Sequence, residues 1–351
     1  ALPSKRVDNE ELIREGIERN RAELTPQSQV DLEARFRRFF KMSGSKFRFH
    51  RAAGEKALTL AVTAGKKALK TAGVKPEEVD LLIYAGVTRG WVEPATANLF
   101  QDQLGLKSAT CFDVLDACAS WIRAMAVARS FLAQKIYKMV MIVNCECGFR
   151  EYANFDIPKA EDLEHSFSGF TIGEAATATI LTVDDDEDDS IFSFKTWGGK
   201  HGLCKIPLPN ASEFSTNGDT DNLKPLAFFT SPGELLSFTI RKLVGHFNET
   251  RDVAERVHDI VFGHSVSVAS TSKTASLIGL DKNSVFETHD RFGNTVSASL
   301  PLGMAVAEEE GRLKRGMERA EALENLEGIT VEKEHFDRAI EEVESARSRG
   351  D

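Results

Sequence analysis

Cys118, His264 and Asn294 are the residues of this chain whose types and settings could do covalent chemistry together. Cys118 follows Phe112-Asp113-Val114-Leu115-Asp116-Ala117, and after it Trp121 or Ile122, Met125, Ala126 or Ala128, and Leu132 repeat at helical spacing. The thiol is therefore expected at the N-terminus of a largely buried helix. The positive end of a helix dipole favours thiolate there and lowers a cysteine below its usual value of about 8.5. Such a thiolate can attack a thioester carbonyl and hold the acyl group, although the same residue alone also reads as a small core cysteine. His264 stands just past the apolar run Ile260-Val261-Phe262, after Gly263, where a strand end delivers a side chain into a crevice. Asn294 lies in Asp290-Arg291-Phe292-Gly293-Asn294-Thr295, where a loop enters a helix. Alone, the histidine reads as a core or surface residue and the asparagine as a helix cap. Their shared setting, each at a strand-to-helix junction, joins them.

The elements that must position these residues alternate along the chain. Leu81–Ala85, Met139–Val143 and Ile260–Phe262 are short apolar runs of buried-strand type. Helical patterns over Lys56–Ala72, Ala119–Gln134 and Ser231–His246 stand beside them, the last with Pro232 suited to a first helical position. Continuous apolar strands between helices predict an α/β architecture with the sheet covered on both faces. An internal echo sharpens this. From Val79 the chain reads strand, loop, helix, Leu104-Gly105-Leu106, strand, then Ala117-Cys118 opening a helix. From Val257 it reads strand, loop, helix, Ile278-Gly279-Leu280, strand, then Gly293-Asn294 opening a helix. A duplicated α/β unit brings equivalent loops together across a pseudo-twofold axis, and with them Cys118 and Asn294. The boundary is expected in the acidic loop near Asp185, giving halves 1–183 and 184–351. The segment Asn9–Arg51, helical at first and interrupted by Ser43-Gly44-Ser45, is expected to stand outside the sheet.

Length and composition bound the function. At 351 residues the chain exceeds a usual single core, and its 42% hydrophobic content is that of a globular protein. No apolar stretch reaches membrane-spanning length and no signal-peptide pattern opens the chain, which begins at Ala1 rather than methionine, as expected if the natural N-terminus is missing. A net charge of −10 with scattered Lys and Arg argues against nucleic-acid binding. The acidic run Asp184–Asp189 reads as a solvated loop. Five cysteines fit a reducing, cytoplasmic setting. Cys145-Glu146-Cys147 lacks a second ligand pair and reads as the end of a buried strand, so no metal is expected.

With these residues in view, the chain resembles the β-ketoacyl-acyl-carrier-protein synthase III family of thiolase-superfamily condensing enzymes. Phe112-Asp113 to Ala117-Cys118, with Pro94-Ala95-Thr96-Ala97 and Leu104-Gly105 before it, is similar to the family's nucleophile block. Gly173-Glu174-Ala175-Ala176 resembles its Gly-Ala-rich strand pair. Asp290-Arg291-Phe292-Gly293-Asn294-Thr295-Val296-Ser297-Ala298-Ser299-Leu300-Pro301, followed by Gly311-Arg312-Leu313-Lys314-Arg315-Gly316, is the strongest match. The resemblance covers about residues 50–316. It implies a thiolase-like fold with duplicated α/β halves forming a layered α-β-α-β-α core. It also implies an acyl group on Cys118, with His264 and Asn294 donating hydrogen bonds to the carbonyl of the second substrate. Acyl-coenzyme A and acyl-carrier-protein thioesters are then substrates, no cofactor is expected, and a homodimer is. A carrier protein is acidic, which makes Arg241, Lys242 and Lys273 candidate contacts.

Four features depart from the family pattern. Glu93 precedes Pro94 where the family usually carries an apolar gate reaching across the dimer. Related olefin-forming thiolases place a glutamate there as base for condensation without prior decarboxylation, so Glu93 reads as base, tunnel gate or exposed loop carboxylate. His264 is followed by Ser265-Val266-Ser267 rather than Gln-Ala-Asn. Ser43–Arg48 only loosely resembles the segment that grips coenzyme A, which leaves the cofactor-binding residues unknown. From about Met317 a charged, helical-looking segment stands where the family has closing glycine-rich strands. Three activities follow: decarboxylative Claisen condensation with a malonyl-type thioester, non-decarboxylating condensation or acyl transfer using Glu93, and a catalytically reduced subunit of a heterodimer. A thioester hydrolase is a fourth.

Overall fold

The computed structural model describes residues 1–182, 190–215, 223–250, 257–264 and 266–314, and the backbone of 319–322. The expected boundary near Asp185, the acidic run, Ser265 and the chain past residue 322 lie outside the described residues.

The central sheet is built from β3 (Leu81–Ala85), β4 (Thr110–Val114), β5 (Met139–Cys145) and β6 (Ala176–Thr182), in the order β4-β3-β5-β6. β3 runs parallel to β4 and β5, with Leu81 opposite Thr110 and Val140, while β6 returns antiparallel with Met139 opposite Thr182. Successive side chains of a strand face opposite ways. Leu82 and Tyr84 therefore enter one core with α3 (Ala57–Ala72) and α4 (Thr96–Leu104). Leu81, Ile83 and Ala85 enter another, with Trp121, Ala124, Ala128 and Leu132 of α5 (Ser120–Ala133). Those four helical residues keep the spacing of a single buried stripe, which is why this segment is a helix that serves as a middle layer.

After β6 come a short antiparallel pair, β7 (Cys204–Lys205) and β8 (Phe229–Thr230), and then β9 (Ile260–Gly263). The same second core takes in Ile260 and Phe262 of β9, and Leu300 and Ala307 of the helix Ser299–Glu309. That helix and α5 thus lie between the two strand layers. Beyond β9, α7 (Pro232–Glu249) packs Leu235, Leu236, Ile240 and Val244 with Leu277 of α8 (Val268–Leu277). The order helix, strand, helix, strand, helix is the layering expected from the sequence. The echo is visible too: Gly105 and Gly279 both end helices with positive φ, 69° and 78°. The second copy is thinner than expected. Where the first has β4, the second has a single bridge, Val261 to Val285.

Outside the sheet stand α1 (Asn9–Arg19), capped by Asp8, and α2 (Pro26–Ser43), capped by Thr25 and ended by Gly44 with φ 74°. Flanking them, β1 (Lys5–Asp8) and β2 (Phe47–His50) form a separate antiparallel pair. Phe36, Phe39 and Phe40 of α2 pack on Phe167 and Phe170 of α6 (Leu163–Thr171), which anchors this elaboration to the chain that follows β5.

The segment from about Met317 corrects the sequence-based expectation. Arg319–Ala322 is not helical but a strand, β10, parallel to β9 with Arg319 opposite Ile260. The reason is backbone bonding. β9 offers N–H and C=O groups that must be satisfied, and a ladder satisfies them whatever the charge of the incoming side chains, so local propensity yields.

Candidate active site

Cys118 is buried two residues before α5 begins. The chain makes a tight turn to put it there: Ala117 has φ 46°, Ala119 N donates to Asp116 O at 2.8 Å, and Ser120 Oγ donates to Ala117 O at 2.6 Å. A non-glycine residue in this left-handed region is uncommon and stores strain, the kind of backbone found where a side chain must be aimed. Around the thiol lie Phe149, Ile172, Phe228 and Val296, with Val87, Tyr152, Cys204 and Ile206 packed against them. This apolar cluster draws on both halves of the chain.

The Phe112-Asp113 block has a structural reason. Asp113 accepts from Thr96 N at 2.8 Å and Ala97 N at 2.9 Å, capping the first turn of α4. The Pro94–Ala97 and Cys118 blocks, apart in sequence, are thus parts of one construction.

Asn294 is fully buried and held by backbone from the other half. Its N–H donates to Thr171 O and its carbonyl accepts from Gly173 N, both at 2.9 Å, a strand-like bridge centred on Ile172. The crossing is close enough to require glycine twice. A Cβ on Gly173 would stand 1.9 Å from Phe292 O, and one on Gly293, at φ 69° and ψ −164°, would stand 2.4 Å from Thr171 O. The Asn294 Oδ1 accepts from Val296 N at 2.9 Å, which fixes the amide plane. Its Nδ2 is buried with no hydrogen-bond partner among the described residues. An amide donor left unspent in an apolar interior is costly unless something else uses it. Because Ile172 and Val296 both belong to the Cys118 cluster, the loop carrying this amide packs on that cluster.

Beneath the crossing, Arg48 is fully buried with its guanidinium Nη1 on Asn9 Oδ1 at 2.7 Å, and burial lowers it to about 9. His50 donates from Nε2 to Ile172 O at 3.0 Å; burial first, then the charge of Arg150, lowers it to about 3, so the ring is neutral. A carbonyl only accepts, which assigns the Nε2 proton.

His264 is buried directly after β9. Its Nδ1 lies 3.2 Å from Ser299 Oγ, which donates to Val296 O at 2.8 Å. The histidine therefore reaches the same turn, Val296–Ser299, that follows Asn294. A cavity of about 30 Å³, room for about one water, adjoins it between β9, α7 and α8.

Sequence reasoning missed a buried polar network at this turn. Ser297 donates to Glu146 Oε1 and accepts from Asn144 Nδ2 at 2.9 Å, and Glu146 also accepts from Val87 N, Thr88 N and Thr88 Oγ1. The sequence pattern marks Glu146 only as part of a strand end. The available signal was a lone carboxylate within Ile142-Val143-Asn144-Cys145-Glu146-Cys147, a run otherwise fit for burial.

The remaining candidates lie elsewhere. Glu93 is exposed, joined to Pro94 by a cis peptide, in a loop with exposed Trp91 and Val92 and outside the cluster around Cys118. Gly44, Ser45 and Lys46 line a 370 Å³ surface hollow with Arg37 and Lys41, away from Cys118. Arg241 and Lys242 lie on α7 and Lys273 on α8, helices that pack together; Lys242 stacks on Phe238. Among the described residues no group of three or more His, Cys, Asp or Glu is placed to hold a metal ion, and no helix is long and apolar enough to cross a membrane.

Residues 112–198 match the family model for 3-oxoacyl-[acyl-carrier-protein] synthase III, and residues 249–320 match its C-terminal model. The β-ketoacyl-[acyl-carrier-protein] synthase III of Clostridium perfringens is 28% identical over 268 residues, spanning 75% of this chain and 79% of that protein. That of Erythrobacter litoralis is 28% identical over 324 residues, 90% of each. Among solved structures, Xanthomonas campestris OleA with bound lauric acid and lauroyl-CoA superposes with a TM-score of 0.74 at 22% identity, covering 91% of each chain. The 3-oxoacyl-[acyl-carrier-protein] synthase III of Aquifex aeolicus does so with 0.72 at 23%, covering 92% of each. At these identities the structures establish a common fold.

Proposed function

We propose that the chain works as a condensing enzyme of the β-ketoacyl-acyl-carrier-protein synthase III kind, whose family models it matches over residues 112–198 and 249–320, loading an acyl group on Cys118 and condensing it with a malonyl-type thioester. The halves 1–183 and 184–351 would contribute the nucleophile and the two donors respectively. In the first step the Cys118 thiolate attacks the thioester carbonyl, a tetrahedral intermediate forms, and the thiolate of coenzyme A or carrier protein leaves. In the second, the malonyl thioester loses carbon dioxide. The enolate oxygen takes hydrogen bonds from Asn294 Nδ2 and from His264 Nε2, the enolate carbon attacks the Cys118 thioester, and Cys118 leaves as thiolate. Donation from His264 Nε2 requires Nδ1 to accept, so the Ser299 hydroxyl turns from Val296 O towards the ring. The reading needs no cofactor beyond its thioester substrates.

The observation that carries this reading is the buried, unspent amide of Asn294 in the loop that packs on the Cys118 cluster. A donor there can hold the enolate oxygen that condensation generates. A second reading, condensation without decarboxylation with Glu93 as base, draws on the exposure of Glu93 and its apolar neighbours. It requires a homodimer, which the edge of β4 and exposed Leu115, Trp91 and Val92 favour, because an unpaired strand edge invites a second copy. The test is intact-protein mass spectrometry of wild type and Cys118→Ala with acyl-coenzyme A and acyl-carrier thioesters, followed by addition of malonyl thioester. Acyl mass on wild type alone, discharged with release of carbon dioxide, is expected. Discharge by a second acyl thioester, lost in Glu93→Gln, would instead establish the second reading. No adduct with any donor would overturn both.

A further inference from the structure

Glu146 is fully buried, yet among the described residues no arginine or lysine meets it; its four hydrogen bonds all come from neutral donors. Oε1 accepts from Val87 N at 2.9 Å and from Ser297 Oγ. Oε2 accepts from Thr88 N at 3.1 Å and Thr88 Oγ1 at 2.9 Å. A carboxylate only accepts, so this set uses both its oxygens twice over. The Ser297 hydroxyl has one proton and gives it to Glu146, while its lone pair takes the Asn144 amide, whose Nδ2 also reaches Ala85 O at 2.6 Å. The bonds therefore run one way, amide to hydroxyl to carboxylate, and each polarises the next in a low-dielectric interior.

What this network holds gives it meaning. Val87 packs on the Cys118 cluster, and Ser297 is the middle of the turn that begins at Asn294 and ends at Ser299. One carboxylate thus ties the Cys118 cluster to the turn that carries Asn294 and, through Ser299, meets His264. We infer that Glu146, acting through Ser297 and supported by Asn144, is a positioning residue for the condensation step, fixing the angle at which Asn294 Nδ2 and His264 meet the second substrate. The inference rests on the reading of Cys118 and Asn294 given above. It predicts separation of the half-reactions, because the turn that aims Cys118 is closed by its own neighbours Asp116, Ala117 and Ser120.

Ser297→Ala removes the relay without adding bulk, and Glu146→Gln sets an amide donor against the Thr88 N–H. In Ser297→Ala, acyl loading followed by mass is expected to stay within about twofold of wild type. Condensation should fall about ten- to a hundredfold in kcat, less than loss of an oxyanion donor itself. The double variant should be no slower than the worse single one, since both break one relay. A second measurement does not depend on turnover. In protein labelled with 15N-asparagine, the side-chain amide signals of Asn294, assigned by their absence in Asn294→Ala, should shift or broaden in Ser297→Ala. Unmoved Asn294 signals, or loading and condensation falling in equal proportion, would overturn the inference. Wild type that takes up no acyl group would overturn the condensing reading instead, and the amide signals would still decide whether Ser297 positions Asn294.

Discussion

The two halves of this molecule hold their functional residues by different means. Cys118 is placed by its own half. A four-stranded sheet lies on one side of α5, and the strained turn at Ala117, bound by Ser120, aims the thiol. Asn294 is placed by the opposite half: the bridge to Thr171 and Gly173 clamps its backbone, and Asn144 with Glu146 clamps the turn beyond it. Where the first half has a four-stranded sheet, the described part of the second has the pair β9–β10, the bridge Val261–Val285 and a separate short pair, Cys204–Lys205 with Phe229–Thr230. The comparison teaches that a thin scaffold can present a well-fixed donor if the thicker half supplies the clamp. Damage on the first half's clamp should then act on the second half's residue.

The largest expected effect tests that clamp directly. Gly293→Ala puts a Cβ 2.4 Å from Thr171 O in a backbone region open essentially to glycine, at a cost of about 1–3 kcal/mol before the clash is counted. Unfolding in urea should show a large loss, and any folded fraction should load acyl groups but fail to condense. Ala117→Gly in the first half relieves left-handed strain and gains chain entropy in comparable amounts, so its stability should change by less than about 1 kcal/mol. Equal damage from the two substitutions would break the contrast.

His50 sharpens it further, because its ring donates to Ile172 O in the clamp while being lowered from 6.5 to about 3, chiefly by burial. Between those values the unfolded chain holds a proton on this ring that the folded chain does not. Stability should therefore fall as pH drops from about 6.5 and level off below about 3. Thermal melts across this window should be flatter in His50→Gln than in wild type. An unchanged slope would remove His50 from the clamp's account.

The smallest effect belongs to the first half alone. Asp113→Ala removes two bonds to the first turn of α4 and should cost about 1 kcal/mol, the usual worth of a cap. It should leave the Asn294 side-chain amide signals in place, in contrast to Ser297→Ala. Movement of those signals would join the two clamps into one.

Much of the frame was legible in the sequence because it follows local periodicity. The run Leu81–Ala85 is the observed β3 residue for residue, and α3, α5 and α7 fall within a few residues of their apolar stripes. The left-handed glycines after α4 and α8 carried the duplication into view. Position at a strand-to-helix junction marked Cys118, His264 and Asn294; in the structure the turn after Asn294 packs on the Cys118 cluster through Val296 and meets His264 through Ser299. Glu93 shows where that reasoning stops: a residue type suited to a base lies exposed, and the role proposed for it calls for a second chain. The charged segment past Met317 shows it again, since β10 forms by pairing with β9 against the helical pattern of its own sequence.

By itself, then, the sequence determined the periodic elements, the junctions and the residue types able to carry an acyl group, because these depend on neighbours within a turn or a strand. Only the tertiary structure decided that Gly173 and Gly293 must cross, that Asn294 keeps an unspent amide, and that Glu146 receives Ser297 from 151 positions away. Burial removes water as an alternative partner, so each buried polar group must find its match wherever the fold places one. That requirement acts through space, and no window of sequence contains it.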